Sequence, residues 1–377
     1  LVWLGVQLNM SGAAFTVAAF VFAALFAMAT GSGFGTISTM SFILYPAGIL
    51  LGSNPAVLAG AILSGAAVGD NLAPVSDTTI IAATSQEYNN KEGTADIGGT
   101  VRTRSPLVIV GFVVAAVLFF IFGGSGGATL DPNHAAELLA AYQMPAGLLL
   151  LIPTALVIYL AVRGKNIFAC LGIGSVVAIV IGLVAGLFDF SAIVAIEDGA
   201  LVGAIPSGVA GMTTVSILLI LVVSMGELLT RSGCMEATVN WLNSSVIKSP
   251  RGAELAIFSL STIFGILIAA INTIANICVA PFVNAIGRKN NLHPYRSANI
   301  LATTICSFPF FVPFGLSSMK DAYPFLPELA ATDMFFTAFY PWAIWVVTLV
   351  ACITGWGRLF EGKNGEPVKT LNESVKK

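Results

Sequence analysis

The sequence predicts an all-α polytopic membrane protein of inverted-topology repeats, with re-entrant hairpins and proline-broken helices. Three observations lead there. The 377 residues are 56% hydrophobic and only 10% charged, whereas a soluble domain carries about 25% charged residues, so the solvent that suits this chain is a bilayer. Its basic residues fall in alternate connecting segments. Two apolar segments are interrupted by prolines at one interval, 19 residues from Pro55 to Pro74 and again from Pro294 to Pro313.

Five stretches are apolar over the roughly 20 residues that a spanning helix needs: 105–122, 145–162, 167–188, 211–230 and 335–357. Lys and Arg occur in 86–104, at Arg163 and Lys165, in 231–251, in 288–296 and after Trp356; 123–144 and 189–207 have none, and 317–333 has only Lys320. The positive-inside rule turns this alternation into cytoplasmic and external loops and makes the C-terminal tail cytoplasmic. The expected location is the inner (plasma) membrane of a prokaryote, crossed several times.

Two regions break the count. The stretch 254–287 has basic residues at both ends, so both ends face one side, and its middle holds Asn272, Thr273 and Asn276. A single helix cannot return to its own side, which predicts a re-entrant hairpin with 272–276 near its tip. The stretch 13–52 is similar, interrupted by Thr30-Gly31-Ser32-Gly33-Phe34-Gly35-Thr36, with both ends expected outward. Each hairpin precedes one proline-broken segment, the first running inward and the second outward. That is the pattern of an inverted repeat, whose broken helices meet near the bilayer midplane and hold substrate. The domains are then 1–123, the first repeat; 145–357, the second; and 358–377, a cytoplasmic tail. The second repeat has three leading helices and the first only residues 1–12, so about three helices are expected upstream of Leu1.

Other classes find little footing. A net charge of −2 gives no basic surface for nucleic acid. The five cysteines are scattered through apolar segments and read as small core residues, and His134 and His293 lie in predicted loops. No cofactor, signal peptide or enzymatic activity is expected. Two intramembrane aspartates would suit an aspartyl protease, but both lie on one segment. Gly31-Ser32-Gly33 lacks an intramembrane histidine to activate its serine, and a passive channel would not need paired broken helices.

The chemistry concentrates in Gly69-Asp70-Asn71-Leu72-Ala73-Pro74-Val75-Ser76-Asp77-Thr78-Thr79. A charge in the membrane costs several kcal/mol and marks a functional site; Asp70, Asp77 and Glu227 qualify, and no Lys or Arg is expected deep in any span. A cation or a proton is then the missing counter-charge. Pro74 also frees the carbonyl of Asp70 four residues earlier. Carboxylates, that carbonyl, Asn71 and the hydroxyls of Ser76, Thr78 and Thr79 are hard oxygen ligands suited to Na⁺, H₃O⁺ or a small polar solute. Asn272, Thr273 and Asn276 from one hairpin, and Ser32 and Thr36 from the other, are expected to complete the site. The structural alternatives are a helix cap for Asp77, and for Asp70 as well, and an i,i+4 pair of Glu227 with Arg231. For Asn272, Thr273 and Asn276 the alternative is ordinary interhelical bonding, and for the glycines around Ser32 it is close packing.

The eleven-residue motif, preceded by Gly31-Ser32-Gly33-Phe34-Gly35-Thr36, resembles the signature of the NhaC-type sodium/proton antiporter family, within the wider ion transporter superfamily. The Asn272-Thr273 pair is similar to that superfamily's hairpin-tip motif, with Ile271 where serine is usual, and Phe34 stands where members often carry tryptophan. The resemblance covers roughly residues 16–315. It implies a transporter that exchanges Na⁺ or a proton against another ion or a small organic solute. With the residues above, the reading is a secondary transporter that exchanges Na⁺ for H⁺, with Asp70 and Asp77 alternating between protonation and cation coordination. A Na⁺- or H⁺-coupled carrier of a small organic acid or amino acid on the same fold is the alternative. The expected partners are Na⁺, H⁺ and the lipid bilayer, with room for a small organic solute and a homodimer.

Overall fold

The structure, a computed structural model, describes residues 10–124, 149–162, 167–197, 200–206, 247–268, 272–308 and 331–370, with scattered positions between 209 and 245. The chain divides into two compact units, Leu1–Ala141 with Ser232–Lys377, and Tyr142–Arg231. Among the described residues both are mainly helical. Gly12–Thr30, Pro55–Thr84 and Ile97–Phe122 are long and apolar enough to cross a membrane, as expected of a multi-pass membrane protein.

In the larger unit, α1 (Gly12–Thr30) starts on the Ser11 side chain, which accepts from the Ala14 N–H at 3.3 Å, and stops at Gly31 with φ +67°. Glycine adopts that left-handed conformation freely. Ser32 then caps α2 (Gly33–Leu50), accepting from Gly35 N at 3.1 Å. Next, α3 (Pro55–Leu72) opens on Asn54, whose side chain accepts from Ala56 and Val57, with Pro55 in the first turn, where a missing N–H is harmless. It ends where predicted: Ala73, the residue before Pro74, is extended at φ −68°, ψ 119°, because the proline ring disfavours helix there. Helix resumes as α4 (Asp77–Thr84).

Every residue of α3 from Val57 to Asn71 is buried. Against α1 the approach is backbone to backbone. A Cβ on Gly65 would lie 2.5 Å from Phe20 O, and one on Gly69 2.1 Å from Ala27 Cβ and 2.7 Å from the Met28 nitrogen. In a bilayer apolar side chains gain little by leaving lipid, so close packing through small residues carries helix association. Phe20 of α1 stacks on Phe112 at 4.7 Å and lies 5.1 Å from Phe119, both on α5 (Ile97–Phe122).

That helix corrects one boundary. The span expected at 105–122 begins at Ile97, capped by the Asp96 side chain accepting from Gly99 N at 2.6 Å, so Arg102 and Arg104 are helical and not part of a loop. Downstream, α8 (Pro250–Leu267) and α9 (Asn272–Lys289) pack together, and α10 (Pro294–Ile305) follows. Like α3, α10 opens on a capped proline: the His293 side chain accepts from Tyr295 N at 3.1 Å. Its continuation through Pro309 and Pro313 lies outside the described residues. The span expected at 335–357 is two helices, α11 (Ala331–Thr337) and α12 (Phe339–Thr354). Pro341 has no N–H for the Thr337 carbonyl, so the helix breaks at Ala338.

In the smaller unit, α6 (Leu151–Val162) packs on α7 (Ile167–Val184). Short strands β1 (Ala195–Glu197) and β2 (Ala200–Val202) pair antiparallel, with Ile196 opposite Leu201; no strand was expected there. The expected span at 211–230 lies largely outside the described residues.

Residues 358–370 of the expected tail are folded onto the larger unit. Strands β3 (Phe360–Glu361) and β4 (Pro367–Val368) form a hairpin, and Phe360 bridges to Leu292. The buried Glu361 carboxylate accepts from Asn89 N at 2.8 and 2.9 Å and from Asn90 N at 2.7 Å. His293, also buried, donates from Nε2 to Gly365 O at 3.3 Å. Three segments that their basic residues assign to one side, 86–91, 288–293 and 358–366, therefore meet.

Two predictions follow from this packing. Gly69→Ala and Gly65→Ala should each lower stability by about 1–3 kcal/mol through overpacking, read as a lower Tm in detergent. Burial holds His293 at a pKa of about 4, below its ordinary 6.5. Between those values the unfolded chain binds the extra proton, so this contribution is complete above pH 6.5 and is lost as pH falls towards 4. His293→Asn keeps a capping acceptor but does not titrate. It should flatten the fall in Tm over that range, corresponding to a stability difference of ~3 kcal/mol at its acid end.

Candidate functional site

The break at 73–76 leaves the last carbonyls of α3 without helical donors, and side chains take them. Thr79 Oγ1 donates to Asp70 O at 3.2 Å, and Arg104 Nη1 donates to Asn71 O at 2.9 Å. The Asp70 carboxylate, 3% exposed, is bonded from two directions. Ser76 Oγ donates to Oδ1 at 2.6 Å from across the break, and Asn272 Nδ2 donates to Oδ2 at 2.9 Å from the start of α9. Ser76 and Thr78 share a hydrogen bond of 2.8 Å between their hydroxyls.

Asp77 is the first residue of α4, where the helix dipole favours a carboxylate, and it is exposed. Its Oδ1 accepts from Thr78 N at 2.8 Å; its Oδ2 accepts from Thr273 Oγ1 at 2.5 Å. The two aspartates thus face the first turn of α9 through neighbouring residues, Asn272 and Thr273, about 200 positions away in sequence. Asn276, one turn on and fully buried, donates from Nδ2 to Asn272 O at 3.1 Å, and its Oδ1 has no partner among the described residues. Asn71 is buried and donates to Ala67 O at 3.1 Å. Asp70, Asn71, Ser76, Asp77, Thr78, Asn272, Thr273 and Asn276 are therefore gathered in one place.

The first hairpin reaches this cluster by its backbone. A Cβ on Gly31 would lie 2.6 Å from Val75 Cγ2, so the turn sits directly against the break. Ser32 is exposed and caps α2, while Thr36 is buried and donates to Ser32 O at 2.8 Å. Neither is bonded to an aspartate in the hydrogen bonds described. Glu227 lies outside the described residues.

One expectation is overturned. A basic residue does lie deep in a span, beside the break that carries Asp70: Arg104, fully buried on α5. Besides Asn71 O, its Nη1 donates to Thr79 Oγ1 at 3.1 Å, and its Nε donates to Asn299 Oδ1 of α10 at 3.1 Å. The sequence signal was present in the buried face of α5, where Thr100, Arg104, Leu107, Val108 and Gly111 recur at helical spacing behind the Asp96 cap. A second buried acid also went unexpected. Glu254 on α8 accepts from Arg296 Nε and from Arg358 Nη2, each at 2.8 Å. Its partners are fixed in the chain, so it has no free charge to offer a ligand.

Among the described residues no three His, Cys, Asp or Glu side chains gather. The aspartate cluster instead combines carboxylate, hydroxyl and amide oxygens, the donor set that suits a hard cation or a proton.

Residues 5–123 match the model of the Na⁺/H⁺ antiporter family. A malate-2H⁺/Na⁺-lactate antiporter of Bacillus subtilis is 26% identical over 266 residues, 67% of this chain and 55% of that protein. The Na⁺/H⁺ antiporter NhaC of Alkalihalophilus pseudofirmus is 30% identical over 152 residues, covering 40% and 31%. An arginine/ornithine antiporter of Halobacterium salinarum is 29% identical over 153 residues, covering 39% and 30%. The matches thus span 55% of the first relative and about a third of the other two. The segment that carries Asp70 and Asp77 is therefore similar to the Na⁺/H⁺ antiporter family, a match that covers residues 5–123.

Proposed function

We propose that this protein is a secondary active transporter that exchanges Na⁺ for H⁺ by alternating access. The observation that carries the reading is the meeting of Asp70 and Asp77, at a broken helix, with Asn272 and Thr273 at the start of another. A proton on a carboxylate and a cation bound beside it satisfy the same charge, so the two occupants exclude each other and exchange follows from one site. Na⁺ takes oxygens from Asp70, Asp77, Ser76, Thr78, Thr273 and Asn276, whose Oδ1 is left unpartnered, with Asn71 beside them. Ser32 and Thr36 are the contribution of the first hairpin.

The two hairpin-like pairs, α1–α2 and α8–α9, are the re-entrant elements of inverted repeats in this reading. Its support is that each pair is followed by a helix opening on a capped proline, at Asn54-Pro55 and at His293-Pro294. The convergence of 86–91, 288–293 and 358–366 favours one cytoplasmic face that includes the C-terminal hairpin, in the plasma membrane of a prokaryote.

A second reading keeps the fold and replaces one ion with a small organic acid or amino acid. Two observations favour it: the malate/lactate relative covers the larger part of this chain, and Arg104 is a buried cation beside the site. Screening small carboxylates and amino acids for thermal stabilisation, with and without Na⁺, separates the two.

In proteoliposomes Asp70→Asn and Asp77→Asn should each reduce Na⁺-driven proton flux at least ~100-fold, as expected for removing a charge made for a cation. Full flux in both variants would refute the assignment. Thr273→Ala removes one hydroxyl next to a carboxylate, and the half-saturating Na⁺ concentration should rise about 5- to 30-fold.

A further inference from the structure

Arg104 has an ordinary explanation as a cap: its Nη1 covers a carbonyl that the helix break exposes, at the negative end of α3. That account leaves much unused. The adjacent carbonyl, of Asp70, is capped among the described residues by the Thr79 hydroxyl alone, so the break does not need a cation. A fully buried guanidinium is costly to desolvate unless its charge is balanced nearby, and Nη2 has no partner among the described residues. Among the described residues the charges within reach of it are few. Asp70, on α3, is the carboxylate that acts on it, and Asp77, on α4, acts on Asp70 in turn; Cys306, after α10, and Tyr340, on α12, are the other titratable groups close by. From α9 come only the neutral Asn272, Thr273 and Asn276.

Two carboxylates with hydroxyl and amide oxygens are, by donor chemistry, also a good set for Ca²⁺. Their charge of −2 would be neutralised by a divalent ion. With Arg104 in place the cluster carries −1, which a monovalent ion or a single proton neutralises, whereas a divalent ion leaves an uncompensated positive charge beside the buried Asp70 and Arg104. We propose that Arg104 is the valence filter of this site, admitting monovalent cations and rejecting divalent ones by fixing the net charge at −1. The inference rests on the cation-site reading above and adds a residue that decides specificity without itself binding the ion.

The test is radioactive Na⁺ uptake into proteoliposomes by the full chain, driven by a pH gradient, with Ca²⁺ added as competitor. Uptake by the unaltered protein is expected to ignore millimolar Ca²⁺. Arg104→Gln, which keeps a capping N–H and removes the charge, should be inhibited by Ca²⁺ at a concentration at least ~10-fold lower; Arg104→Lys should behave as the unaltered protein does. Capping alone would not move the choice between valences. If Arg104→Gln does not fold, Asn299→Asp serves in its place. It sets a carboxylate against Arg104 Nε and returns the cluster to −2 while leaving the bonds to Asn71 O and Thr79 intact, so it too must admit Ca²⁺.

The proposal is overturned if the folded variants take up Na⁺ and remain indifferent to Ca²⁺, or if the unaltered protein is already inhibited. It is also overturned if Arg104→Gln loses only its response to lactate or malate, which would assign the guanidinium to an anionic substrate. Should Asp70→Asn and Asp77→Asn retain full flux, the cation-site reading itself falls. Should they be inactive while Ca²⁺ stays without effect on the Arg104 and Asn299 variants, the valence filter alone falls.

Discussion

Pro74 has no N–H for the carbonyl of Asp70, and its ring keeps Ala73 out of helical conformation. In water such a break would be repaired by solvent. In a segment as buried as 55–84 it must be repaired by protein, because unpaired backbone is tolerated within a membrane only where side chains or an enclosed cavity satisfy it. The repair recruits the rest of the centre: Thr79 from beyond the break, Arg104 from α5, and through Arg104 the amide of Asn299 on α10. Ser76 and Asn272 then converge on the carboxylate that the break has turned aside. One absent donor thus draws elements from both ends of the sequence to a common point.

How closely they can draw together depends on residues that contribute almost no side chain. Gly65 and Gly69 let α1 lie against α3 at backbone distance, and Gly31 lets the first turn sit on Val75. Small residues of this kind hold no ligand, yet they fix where the polar groups of the break can be reached.

The features legible in the sequence were those whose cause is local. Pro74 announces its own break, and Asn272 and Thr273 stand out because amides and hydroxyls are rare in apolar runs. Pro55 and Pro294 mark helix starts for the same reason. The parts that were not legible depend on distant partners or on subtle boundaries. Arg104 looked like one more basic residue of a connecting loop, because nothing next to it reveals that Asp96 has already started the helix. Glu254 does not stand out in the sequence, since its partners Arg296 and Arg358 lie 42 and 104 positions away. The division at Ala338 was missed although Pro341 explains it, because apolar content on both sides continued unbroken. Strands of two or three residues such as β1 to β4 carry too little periodicity to register.

Helix α5 joins opposite demands on one axis. On one side it buries Arg104; on the other Ile109, Val113, Val117 and Ile121 are exposed as an apolar surface suited to lipid. Turning the helix about its axis would carry the guanidinium towards hydrocarbon, at a cost of several kcal/mol, and would pull its three bonded nitrogen contacts off Asn71, Thr79 and Asn299. Torsion is therefore the motion this helix resists most, whereas sliding or tilting as a rod can carry Arg104 along with α3 and α10. In mechanical terms α5 is keyed, like a shaft in a slot, and any rearrangement that passes through it must leave its rotation about its own axis unchanged.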